Sequence, residues 1–268
     1  MSRTLRLVLE YDGAGFHGWQ AQRGPVARRT VQGVVEEAVH ALTGERAVVH
    51  GASRTDAGVH ALGQVASLVL ERATLPAAAI RRGLNALLPP DVAVVSVEEA
   101  PAGFHARKAA VGKHYRYLLL CRPDRSPLLR GRAWHRPGPL DLEAMNRAAA
   151  GLLGRHDFSA FRAAGGRAAS PVRTLWRLSV EAPPEGPVEG LVRVELEADG
   201  FLMHMARILV GTLVEVGRGR LPPEAPAAIL AGRDRRAAGP TAPPYGLYLV
   251  GVRYPEAGRP AGRGAAEA

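Results

Sequence analysis

The segment best suited to chemistry is Ser53-Arg54-Thr55-Asp56-Ala57-Gly58-Val59-His60, in which one carboxylate lies between an arginine and a glycine. A carboxylate can act as a nucleophile or as a proton acceptor. Arg54, two residues earlier, can hold it ionised or grip a phosphate, and Gly58 lets the backbone turn or approach a ligand closely. Read as plain structure, the same residues make a turn with a surface ion pair. Val48 and Val49 come before the segment, and Val65, Ser67 and Val69 alternate with Ala66, Leu68 and Leu70 after it. Asp56 is therefore expected in a loop between two strands, where a rigid sheet can hold a reactive group in place.

Two further residues carry possible chemistry. On a helical wheel starting at Leu202, Met205, Leu209, Leu213 and Val216 make one apolar face, and Met203, Val210 and Val214 make a second. Only a narrow polar strip with His204 and Glu215 is left, the pattern of a buried helix. Arg207 lies at the edge of the second face. Its guanidinium either reaches water along its aliphatic stem or needs an internal counter-charge, for which Asp56 is an attractive partner. In Lys113-His114-Tyr115-Arg116-Tyr117, alternation puts Tyr115 and Tyr117 on one face of a strand and Arg116 on the other. Tyr115 is either core or a platform for an unstacked base, worth about 1–3 kcal/mol.

Gly13, Gly15 and Gly18 have the G-x-G-x-x-G spacing after a strand, but a dinucleotide fingerprint must open directly into a helix. Here residues 19–25 intervene, and no helix is expected before Thr30. A loop whose Phe16, His17, Trp19 and Arg23 touch RNA is the better expectation. His50, His60, His105 and His114 are scattered, without the i, i+4 spacing of a zinc site on a helix, so no metal is expected.

The elements that must position these residues follow from the patterning. Leu5 to Glu10 read as a strand. Thr30 caps a helix bearing Val31, Val34, Val35, Ala38 and Leu42, stopped by Gly44. Strands follow around Val48 and Val65, a second helix opens at Pro76 with Ile80, Leu84 and Leu87, and Val92 to Val97 form a strand. The second half repeats this order: a strand at Tyr115 to Leu120, a helix capped by Asp141 and ended by Gly154, strands at Leu175 to Val180 and Leu191 to Glu197, a helix from Leu202 to Val216, and a strand at Leu247 to Tyr254. The expectation is an α+β chain of two ferredoxin-like βαββαβ halves, residues 1–106 and 107–256, with loops at Pro183 to Gly190 and Gly219 to Pro226. Residues 257–268, with the Gly-rich run Gly258 to Gly264, are expected to be a disordered tail.

Composition limits the partners. The 268 residues are 47% hydrophobic and 5% aromatic, enough for a substantial core. A net charge of +10 favours a polyanion. Lys108 and Lys113 are the only lysines, so arginine carries nearly all of that charge, and arginine can fork onto phosphate oxygens and stack on bases. An arginine-rich coding bias would produce the same balance, so charge alone does not name the partner. Cys121 is the single cysteine, which rules out an intrachain disulfide and a thiolate zinc cluster. No apolar run approaches the ~20 residues of a membrane span. The first strand begins at Arg3 with no leader-like segment ahead of it, and a cytoplasmic location is expected.

Taken in order, several segments resemble the tRNA pseudouridine synthase A family: Tyr11-Asp12-Gly13 through Gly18-Trp19-Gln20, Arg54-Thr55-Asp56-Ala57-Gly58-Val59-His60, Phe104-His105-Ala106-Arg107, Tyr115-Arg116-Tyr117 and Asp157-Phe158-Ser159-Ala160-Phe161. Gly200-Phe201-Leu202, His204-Met205, Gly211-Thr212 and Gly239-Pro240-Thr241-Ala242-Pro243-Pro244 continue the match to about residue 254. The resemblance implies the pseudouridine synthase fold with a mixed, mostly antiparallel central sheet. It also implies an isomerase that converts uridine to pseudouridine at positions 38, 39 and 40 of the tRNA anticodon stem-loop, acting as a homodimer without metal or organic cofactor. It assigns Asp56 as catalytic aspartate, Tyr115 as the tyrosine on the target base, Arg207 as the arginine paired with the aspartate, and Arg54 as an aid to flipping the nucleotide. Ser53 stands where glycine is common, Ile208 where asparagine is usual, and Lys108-Ala109-Ala110 where Phe-Ser-Ala is more frequent. The motif leaves three routes open to the carboxylate: attack at C1′, action after proton loss from C2′, or addition to the ring. Two other classes compete. One is a non-catalytic tRNA-binding protein or chaperone. The other is a glycosidic-bond hydrolase, which would need a second acid near Asp56.

Overall fold

In the computed structural model, residues 2–22, 28–166, 168–183 and 188–255 are described. Arg23, the loop segment 184–187 and the tail expected over 257–268 lie outside them. The described residues divide into two compact units, 2–112 with 250–255, and Lys113–Leu249.

In the first unit, β1 (Arg3–Tyr11) pairs antiparallel with β3 (His60–Leu70) and with β4 (Val92–Ala100), while the two-residue β2 (His50–Gly51) pairs with the far part of β3. Leu5, Leu7 and Leu9 alternate along β1 with more exposed residues and are fully buried, the period-2 pattern of a half-buried strand. Helix α1 (Val31–Thr43) begins where Thr30 accepts a hydrogen bond from the Gly33 N–H, and it ends at Gly44, whose φ of 72° favours glycine. Helix α2 (Ala77–Leu87) follows Pro76 and buries Ile80 and Leu84. The order βαββαβ lies in the sheet as fourth, first, third and second strand, with the C-terminal part of β10 (Leu247–Arg253) beside β3. Glu45 ties the end of α1 to the end of β3, its carboxylate accepting from the backbone N–H groups of Glu71, Arg72 and Ala73.

The second unit repeats the scheme. Strands β5 (Gly112–Leu120), β9 (Leu191–Ala198) and β8 (Val172–Glu181) run antiparallel in that order, with helix α3 (Leu142–Ala150) and helix α4 (Met205–Gly217) between strands in sequence. Asp141 caps α3 by accepting from Ala144 N–H. Three elements add to the expected set: β6 (Trp134–His135), parallel to β5; β7 (Gly154–Asp157), on β8; and helix α5 (Ala225–Gly232). Gly154 therefore opens a strand, and α3 stops earlier, at Gly151. Among the described residues, ten mostly antiparallel strands and five α-helices make this an α+β chain with the pseudouridine synthase fold. The sequence division at residue 106 follows the order of elements, whereas compactness places 107–112 and the residues from Val250 with the first unit. The Val111 N–H donates to the Arg253 carbonyl, and Val252 and Tyr254 pack on a buried cluster of Ala52, Val65 and Ala106.

Helix α4 departs from its expected start. Leu202 to His204 form a turn ahead of it, with His204 at a left-handed φ of 58°. Met203 is therefore off the helix and 43% exposed, so the expected second apolar face is reduced to Val210 and Val214, both fully buried. The helix is buried because its remaining sides are covered, including by a backbone segment. A Cβ on Gly211 would sit 1.8 Å from the Pro240 carbonyl oxygen, and the Gly239 N–H donates to Thr212 Oγ1 at 2.9 Å. Only glycine at 211 allows this approach. No helix among the described residues is long and apolar enough to cross a membrane.

Candidate active site

Arg54 and Asp56 lie in the first unit, in the loop from β2 to β3. Tyr115 and Arg207 lie in the second, on β5 and α4.

The Asp56 loop is a tight turn on a buried base. The Val59 N–H donates to the Asp56 carbonyl at 3.1 Å, and Gly58 has a φ of 79°. Below the turn, the buried Thr55 hydroxyl bonds the Tyr11 hydroxyl at 2.8 Å. Gln64, fully buried in β3, accepts from the Ser53 N–H and donates to the Ser53 carbonyl. Ser53, which stands where glycine is common, is thus fixed through its backbone. The glycines of the 13–18 loop clamp the other side. The Trp19 N–H donates to the Thr55 carbonyl, and Cβ atoms at Gly13 and Gly18 would strike Val59 O at 2.0 Å and Thr55 O at 2.6 Å. Gly13 and Gly18 of the G-x-G-x-x-G run therefore seat one loop on another. Gly13 and Gly15 bound a short 3-10 helix, Gly18 follows it, and α1 starts only at Val31.

That seating corrects part of the RNA-contact expectation. Phe16 and Trp19 are 3% and 1% exposed. Trp19 lies under Gly51, where a Cβ would meet its ring at 2.4 Å, and Phe16 carries the Arg29 guanidinium 4.0 Å from its centroid. Both are core residues; His17 is exposed.

Arg54 is exposed but held. Its Nε donates to Gln20 Oε1 at 3.1 Å, Gln20 Nε2 donates to Gln32 Oε1, Gln32 Nε2 donates to Glu36 Oε1, and Glu36 Oε1 accepts from the Val49 N–H. This relay from α1 to Arg54 escapes pattern reading because it joins residues 34 apart. The buried Gln32 in the first turn of an otherwise apolar helix face was its only sequence signal. His50 and His105, scattered in sequence, stack with ring centroids 4.6 Å apart. No cluster of three or more potential metal ligands occurs among the described residues.

In the second unit, strand alternation holds. Tyr115 and Tyr117 are buried, while Arg116 points to the other face and donates from Nε to Glu195 at 2.6 Å. Tyr117 is a structural residue, its hydroxyl donating to the Pro243 carbonyl at 2.8 Å. Tyr115 meets Phe201 edge to face at 5.0 Å. Arg207 is half-buried. Its Nε donates to the Ala242 carbonyl at 2.7 Å, and its own carbonyl accepts from the Ala242 N–H. This anchors the guanidinium to the Gly239–Pro244 segment. Ile208, where asparagine is usual, is fully buried. Phe158 and Phe161 are fully buried core residues, and Asp157 ahead of them accepts from Ser159 N and Oγ.

Comparison with known proteins agrees along the chain. A family profile described as tRNA pseudouridine synthase matches residues 7–107 and 148–255. The tRNA pseudouridine synthase A of Myxococcus xanthus is 49% identical over 267 residues, 98% of this chain and 97% of that protein. The proteins of that name from Acetivibrio thermocellus and Thermoanaerobacter sp. (strain X514) are 45% and 44% identical over 252 residues, 94% of this chain and the whole of each relative.

Proposed function

Because the chain belongs to the tRNA pseudouridine synthase family and is an isomerase acting on tRNA, we propose that it modifies uridines 38, 39 and 40 of the anticodon stem-loop with Asp56 as nucleophile. The observation that carries this is the Asp56 turn itself, a half-buried carboxylate on a base of buried hydrogen bonds, clamped by glycine contacts and flanked by a tethered arginine. A rigid carboxylate of this kind meets the positional demand on a reacting group.

The reaction breaks the N1–C1′ bond of uridine and forms a C5–C1′ bond. The C5 proton is lost to solvent and N1 gains one. The base must first leave the stack, at a cost of a few kcal/mol that pocket contacts repay. Arg54 supports the flipped nucleotide, Tyr115 orients the freed uracil and receives the C5 proton on its oxygen as its own hydroxyl proton passes to solvent, and Arg207 neutralises Asp56. The whole cycle needs no redox change and no activated group, and we propose that it runs without metal or organic cofactor, in a cytoplasmic homodimer.

Tritium release from tRNA carrying [5-³H]uridine tests this reading directly. The wild type is expected to release label from the anticodon arm, and Asp56→Asn to bind tRNA but release none. Equal release by Asp56→Asn would remove the nucleophile assignment. A wild type that binds tRNA without releasing label would be a binding protein only, and free uracil as product would mark a hydrolase.

A further inference from the structure

A cleft of about 600 Å³ opens in the first unit beside Arg54. Its lining includes three permanent cations, Arg54, Arg107 and Lys108, and no carboxylate. Trp19, Val48 and Val49 contribute its apolar wall, and the stacked imidazoles of His50 and His105 face it. The volume falls in the range of ordinary small-ligand sites.

The rim that carries Arg107 and Lys108 is rigidly mounted. Ala106 is fully buried, its N–H donates to Ser67 Oγ at 3.0 Å, and its carbonyl accepts from the Tyr254 hydroxyl at 2.8 Å. The next turn closes through the Ala109 N–H and the His105 carbonyl. Arg54 is fixed from the opposite side by the Gln20–Gln32 relay. The His105 ring is also defined. Because the Arg107 N–H donates to its Nδ1 at 3.2 Å, a neutral ring carries its proton on Nε2. Burial, together with His50, Lys108 and Arg107 nearby, holds this imidazole below the usual histidine range. The cleft therefore offers a flat ring stack, its His105 member held toward the neutral form, between fixed cations, a combination suited to a group with one aromatic face and one anionic end.

We propose that this cleft is a second contact site for the substrate RNA, taking a nucleotide next to the target uridine with its phosphate on Arg107 and Lys108 and its base against the His50–His105 stack. The inference rests on tRNA being the substrate, and it adds a subsite to the Asp56 loop. Arg54 joins the two, since it lines the cleft and lies two residues from Asp56. Lys108 is the discriminating residue, because it is exposed and contributes no core packing.

The test compares tRNA binding and turnover of wild type, Lys108→Gln, the Arg107→Gln/Lys108→Gln pair and a control, Arg147→Gln. Arg147 is exposed on α3 and paired with Glu143. Each lost phosphate contact should reduce the slope of log K against log salt by about 0.7–0.9. The pair should weaken tRNA binding by about 10- to 100-fold at physiological salt, while kcat at saturating tRNA stays within about twofold of wild type. Arg147→Gln should leave slope and affinity unchanged. Titration of uridine monophosphate should shift the His50 and His105 ring resonances in the wild type and less in the pair.

A slope unchanged in the pair, or reduced equally by Arg147→Gln, overturns the subsite. So does a fall in kcat without a change in affinity, which would make these residues supports of Arg54. A wild type that releases no tritium, but whose salt slope still falls in the pair, would refute the proposed isomerase reading and leave the subsite standing. No salt-dependent tRNA binding by the wild type would overturn both.

Discussion

Gly18→Ala should damage turnover far more than its effect on folding would suggest, because Gly18 sets the position of the Asp56 loop. The residue has a φ of 87°, a conformation that costs an L-residue about 1–2 kcal/mol. An alanine Cβ would lie 2.6 Å from the Thr55 carbonyl oxygen and 3.2 Å from the Asp56 carbonyl carbon. Ordinary contact begins near 3.4 Å, so one loop must retreat by about 0.8 Å. If neither loop yields, overpacking adds about 1–3 kcal/mol, for a total of about 2–5 kcal/mol. If the Asp56 loop yields, the carboxylate moves by a similar distance, and a misplacement near 1 Å at a reacting group costs about 100-fold. Tritium release under single-turnover conditions, with thermal unfolding in parallel, separates the two effects. Gly103→Ala is the matched control. It has a φ of 81° with nothing within 4 Å of the added Cβ, so it carries the dihedral cost without the clash and should keep activity within about twofold. Wild-type turnover in Gly18→Ala, or an equal loss in Gly103→Ala, would refute the argument that one loop seats the other.

The buried Tyr11–Thr55 hydroxyl pair should show coupling. Thr55→Val should cost about 1–3 kcal/mol, and a double-mutant cycle with Tyr11→Phe, read by urea unfolding, should give about 1 kcal/mol of interaction, whereas additive losses would mean that the bond contributes nothing. Glu195 predicts a pH dependence: burial by itself would raise its carboxyl, but hydrogen bonds from His114 and Arg116 outweigh that and hold it below its ordinary value of 4.5. A lowered folded value means stability that is present above the unfolded value and lost as pH falls through the folded one. Wild type should therefore lose stability below about pH 4.5 more steeply than Glu195→Gln, which should be about 1–3 kcal/mol less stable at pH 7; parallel curves would remove Glu195 as the cause.

The local chemistry of the chain was legible without a structure. The caps at Thr30 and Asp141 and the stop at Gly44 form through atoms three to four residues apart, so they are local properties. The alternation of β1, β3, β5 and β9 follows from the strand period, and with the helices it spelled out two βαββαβ sets. Elements of two to four residues, such as β6 and β7, are too short for a period to register, and α5 was obscured by the prolines around it. His204 adopts a left-handed φ that no pattern announces, and it moved the start of α4. Phe16 and Trp19, plausible as RNA contacts in a glycine-rich loop, turned out to be core because the loop folds onto 51–59.

For the candidate site the division is sharper. The types and spacing of Arg54, Asp56 and Gly58, the position of Tyr115 on a strand and of Arg207 on an apolar helix were set by the sequence, because turn, strand and helix preferences act over a few residues. The partners were decided only by the tertiary structure. Gln20 reaches Arg54 across 34 residues, Ala242 holds Arg207 across 35, and His50 meets His105 across a separation no periodicity covers. Hydrogen bonds and stacks of this kind depend on which surfaces the packed sheet brings within about 3–5 Å, and that distance is a property of the folded chain.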